Sequence, residues 1–117
     1  MANALENNVN LYKYVDGRRS DLKDGHAKVE SGKWQELCVE ARGQTLRGFL
    51  NGQPVVETMD PTFSSAGGVG LWTKADSQTC FDDVEVSCSI CLVVIAFHLR
   101  SIRPTAVSKL TEASVGK

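Results

Sequence analysis

Residues 49–60 read FLNGQPVVETMD. Two short apolar runs flank Asn51-Gly52, and that arrangement is the strongest short-range signal for a β-hairpin. A type I′ turn needs positive φ at both central residues, which Asn and Gly accept at low cost. Upstream, residues 34–42, WQELCVEAR, alternate with period two. Leu37, Val39 and Ala41 share one face, and Glu36, Cys38 and Glu40 share the other. Residues 45–50, TLRGFL, continue the alternation, with Leu46, Gly48 and Leu50 opposed to Arg47 and Phe49. Pro54 stands where a strand start or an edge strand tolerates a missing N–H.

Working outward, Asp16-Gly17 is a second hairpin signal, after the strand pattern of NVNLYKYV and before a short polar return, RRSDLK, suited to an edge. HAKVES reads as a modest strand. DPTFSSAGG is a polar loop with Phe63 tucked beneath it, and VGLWTK and CFDDVEV are two further strands. Up to Ser87 nothing has helical period, and short strands punctuated by turns predict an all-β, antiparallel sandwich or barrel.

Beyond Ser87 the pattern changes. Ile90–Leu99 is a solid apolar run that fits either a buried strand or a helical stretch, because periodicity does not distinguish them. At ten residues it is half the length of a bilayer-spanning helix. Pro104 blocks its simple continuation, and TAVSKLTEASVGK reads as a terminal helix or a frayed end.

The chain has 117 residues, enough for one core, and a formal net charge of −1 with both signs interspersed. That balance argues against nucleic acid or an anionic membrane as the main partner. MANALENNVNLYKYV lacks a basic region followed by an apolar one, so no signal peptide is expected in it; the compartment stays open.

The residues GKW (32–34), VEARG (39–43), Asn51-Gly52, GLWTKAD (70–76) and FDDV (81–84), in that order, resemble the concanavalin A-like lectin/glucanase superfamily. The nearest likeness is to the laminin-G-like 3-keto-disaccharide hydrolase domain family of bacteria. The resemblance covers roughly residues 2–87 and corresponds to the C-terminal half of that domain. It implies a reduced jelly roll over residues 1–87, with 88–117 a non-matching addition, and a family often exported. Because the other half of the fold is missing, a homodimer is expected, formed in part through Ile90–Leu99.

For function, the resemblance implies a non-catalytic carbohydrate-binding or adhesion module. The alternatives are a glycoside hydrolase-like domain and an assembly module without a small ligand; whether the chain is an enzyme is left open. In this fold style Trp34 is expected in the core. Trp72, alternating with Leu71, is expected on the opposite sheet surface, with Lys74, Asp76 and Arg47 beside it as an oligosaccharide platform. Asp82-Asp83 in an extended strand points its carboxylates to opposite faces, which disfavours an acid/base dyad.

Cys80, Cys88, Cys91 and His98 include a C-x-x-C spacing, but one such pair without a second is weak evidence for zinc, and no cofactor is expected. Cys38 reads as a packed free thiol. His26 reads as solvated.

Overall fold

The computed structural model of the protein describes residues 1–4, 6–62, 69–73, 78–89, 92–101 and 107–113. Among them are ten strands: β1 (Ala2–Asn3), β2 (Asn8–Val15), β3 (Arg18–His26), β4 (Gln35–Arg42), β5 (Thr45–Leu50), β6 (Gln53–Met59), β7 (Val69–Thr73), β8 (Thr79–Ser89), β9 (Leu92–Ser101) and β10 (Val107–Ala113). They form two five-stranded antiparallel sheets, ordered β3-β2-β1-β10-β7 and β6-β5-β4-β9-β8. The first sheet packs on the second with β3 against β6, β2 against β5 and β6, and β10 against β9. No helix among the described residues is long and apolar enough to cross a membrane.

The hairpins follow from turn chemistry. Asn51 and Gly52 have φ of 51° and 79°, and Asp16 and Gly17 have 51° and 77°, so both turns carry the paired positive φ that their sequences call for. Asn51 also clamps the neighbouring strand. Its N–H donates to the Glu36 carbonyl at 2.8 Å, and its Oδ1 accepts from the Glu36 N–H at 2.9 Å. The polar β3 is an edge strand, as its composition suggests.

The core is built from the alternating faces. Leu37, Ala41, Leu50, Val56, Ile95, Phe97 and Leu99 of the second sheet meet Ala2 and Val9 of the first. Phe97 is fully buried, opposite Leu37 in the register, with Phe81 tilted against it at 5.8 Å between ring centroids. The apolar run is thus a strand, and its interior place between β4 and β8 explains its composition, since its inward residues are covered within one chain. Ile95, Phe97 and Leu99 are therefore not available to a dimer interface. Residues 107–113, expected as helix or frayed end, pair instead with β1 and β7 (Ala2↔Ser108, Leu71↔Leu110), where the first sheet offers unpaired backbone on both sides.

HAKVES is not a separate strand. Its His26 ends β3, and the segment after it is held by side chains rather than a ladder. Asn7 accepts from the Ala27 N–H through its carbonyl (3.1 Å) and from the Val29 N–H through Oδ1 (3.2 Å). The buried Gln35 amide donates to the Glu30 carbonyl at 2.7 Å and accepts from the Glu30 N–H at 3.0 Å, which satisfies it and lets Val29 enter the core. Phe63 lies outside the described residues.

One ion pair ties the sheets together. Lys13 Nζ on β2 reaches Asp60 Oδ1, just past β6, at 2.9 Å, with side chains 23% and 9% exposed. Lys13 also donates to Thr62, and Thr62 Oγ1 donates to Asp60 at 3.0 Å. Burial opposes the Asp60 charge, but the hydrogen bonds from Lys13 and Thr62 outweigh it and hold the carboxyl below its ordinary range. A carboxyl with a depressed folded pKa stabilises fully above its unfolded value, about 4, and loses that contribution as pH falls through the folded value. Lys13→Met should therefore cost about 1–2 kcal/mol at pH 7 and progressively less in acid, read from urea midpoints at several pH values. A deficit that stays constant down to pH 2 would remove the pair from the account.

Candidate functional site

The second sheet's outer face, opposite the core, is set by the same register that fills the core. Glu36 stands beside His98, which stands beside Asp82; Cys38 stands between Phe49 and Ala96; Glu40 lies between Arg47 and Val94. Trp34 directly precedes β4. Its indole is 46% exposed, and the Arg100 guanidinium lies over the ring at 5.3 Å from the centroid. Sequence reasoning places Trp34 in the core, but the inward place is taken by its neighbour Gln35, which is satisfied by the Glu30 backbone. Alternation then carries Trp34 to the outer face.

Asp82 and Asp83 also depart from expectation. The ladder slips between Asp82 and Glu85, and Asp83 has φ of 52°. This bulge brings Asp83 Oδ2 to 3.3 Å from His98 Nδ1, while Asp82 Oδ1 accepts from the Asp83 N–H at 2.8 Å. Both carboxylates thus gather near His98, whose Nε2 lies 4.0 Å from Glu36 Oε2. His98 Nδ1, close to Asp83 but not aligned for a hydrogen bond, and Arg100 Nε are buried nitrogen atoms with no hydrogen-bond partner.

On the same face the Cys38 thiol is pushed up from its ordinary pKa, first by burial and then by Glu36 and Glu40. Such a thiol is a poor nucleophile at neutral pH. Cys38 and Cys80 are free. Cys91 lies outside the described residues, and among the described residues no His, Cys, Asp and Glu side chains form a group able to hold a metal ion.

The four residues expected to form a platform are not all brought together. Trp72 is on β7, the edge of the first sheet, in register with Lys109. Leu71 packs against the core. Lys74 and Asp76 lie outside the described residues. Arg47 is on β5, in the other sheet, with Nε 3.4 Å from Glu57 Oε1 and Nη1 4.0 Å from Glu40 Oε1. Trp72 and Arg47 therefore share no sheet surface. The residues that sequence reasoning missed as a set are Trp34, Glu36, His98 and Arg100. The signal that could have found the first two is parity: Trp34 and Glu36 have even numbers in a strand whose apolar residues are odd.

Comparison with known proteins yields no match: no family model, no curated protein and no solved structure is significantly similar to the chain.

Proposed function

We propose that this protein is a non-catalytic carbohydrate-binding module on a concanavalin A-like jelly-roll sandwich, with Trp34 as the stacking residue. The observation that carries the reading is a half-exposed indole on an open sheet face beside polar groups from three strands, namely Glu36, His98, Arg100 and Asp83. An indole face offers a flat apolar area to the C–H groups of a pyranose, and the carboxylates and the unpartnered Arg100 Nε supply acceptors and a donor to its hydroxyls. The hydrolase alternative is disfavoured by geometry. Glycoside hydrolysis needs carboxylates on both sides of the bond, whereas Glu36, Asp82 and Asp83 flank one face that is open to water.

Little area is buried on such a face, so affinities in the millimolar to high-micromolar range are expected. The test is titration of neutral and acidic oligosaccharides followed by tryptophan fluorescence. Trp34→Ala should weaken binding at least tenfold while Trp72→Ala leaves it within twofold. The reverse ranking would move the platform to β7, and no saturable change with any glycan would defeat the lectin reading.

A further inference from the structure

A groove of about 360 Å³ runs along the open end of the sandwich where β3 and β6, the edge strands of the two sheets, lie against each other. Its apolar lining is Pro54, Val55 and Val56, and its charged lining is Lys23, Asp24, Arg47 and Glu57. The register of β6 slips opposite Gly48 and Phe49, so the strand carries an extra residue there, and Pro54 offers no N–H for pairing. The groove is separate from the Trp34 platform.

The charges in the groove divide into two pairs. Arg47 is neutralised by Glu57 and Glu40. Lys23 and Asp24, in contrast, make no ion pair with any described residue, including each other. Successive residues of an extended strand diverge, so an ammonium and a carboxylate stand apart at one apolar floor. A ligand with one charge would meet one partner and one repulsive group. A ligand with both charges and a short hydrocarbon would satisfy both and cover Val55.

We infer that this groove binds a small zwitterion with an apolar side chain, of the α-amino acid class, its carboxylate on Lys23 and its ammonium on Asp24. The volume accommodates one such molecule and excludes a long chain.

The experiment is a titration of the ¹⁵N-labelled protein with L-norleucine, n-hexanoate and n-hexylamine, followed by amide shifts. L-Norleucine should shift the Lys23, Asp24, Val55 and Val56 amides saturably, with a millimolar Kd, and the singly charged analogues should bind at least tenfold more weakly. Lys23→Met and Asp24→Asn, both exposed and expected to fold, should each weaken norleucine tenfold, and Trp34→Ala should leave it unchanged. Equal binding of hexanoate or hexylamine would overturn the zwitterion assignment. Shifts confined to other residues, unaffected by the two variants, would overturn the site.

Discussion

Gly25→Ala is expected to destabilise the protein by about 3 kcal/mol, more than any other single methyl in the described core. Gly25 is the buried residue of β3, and β3 lies on β6. A Cβ built there would collide with the Val55 carbonyl oxygen, and would lie 2.9 Å from Val56 Cβ and 3.0 Å from the Val55 carbonyl carbon. All three are backbone or Cβ atoms, so no side-chain tip can swing away; the sheets must part or β3 must peel off. The entropy gained by replacing glycine, roughly 0.5–1 kcal/mol, does not offset this. Gly48→Ala is the informative contrast, because its closest contact is Val56 Cγ1 at 2.7 Å, a side-chain end able to rotate. Its cost should be about 1 kcal/mol. Urea unfolding would give both values, and equal midpoints for Gly25→Ala and the parent protein would mean that β3 does not pack on β6.

Phe97→Ala should cost about 3–5 kcal/mol, a large share of the 5–15 kcal/mol typical of a whole domain. Phe97 has no exposed surface, pairs with Leu37 across the sheet and contacts Phe81, so truncation removes a large buried area and leaves a cavity with rigid walls. The same variant tests whether the apolar run serves one chain or two. With Phe97 inside its own sandwich, the unfolding midpoint of both proteins should not change with protein concentration. A midpoint that rises with concentration would show that the run is buried between chains.

Local chemistry is easy to read in this chain. The Asn51-Gly52 and Asp16-Gly17 turns and the Leu37–Ala41 alternation are legible because each depends on neighbours in sequence. Three features depend on distant partners and are not. Trp34 is misjudged because a bulky aromatic beside an apolar strand is usually buried. Here Gln35 holds the inward place through two hydrogen bonds to Glu30, a pairing no periodicity reveals. Asp82-Asp83 reads as a regular strand dipeptide, yet Asp83 adopts positive φ in a bulge. Asp is among the residues that tolerate this, but tolerance does not predict occurrence. Residues 107–113 give no strong strand signal because their partners are the backbones of β1 and β7, and main-chain pairing leaves little trace in side-chain pattern.

The place of β10 sets the order in which the molecule can be assembled. Ala2 lies beside Ser108, so the first strand to leave a ribosome waits for the last described one before its second edge is covered. Closing a loop of about a hundred residues adds only a few kcal/mol of chain entropy, but it must be met before any contact rewards it. The β2–β3 and β4–β5–β6 hairpins form early, as their two-residue turns allow. Until β10 arrives, β1 and β7 each present bare main chain to solvent, and other unfinished copies present the same. Dilution and slow synthesis should therefore raise the yield of folded protein more than any change to its surface charge.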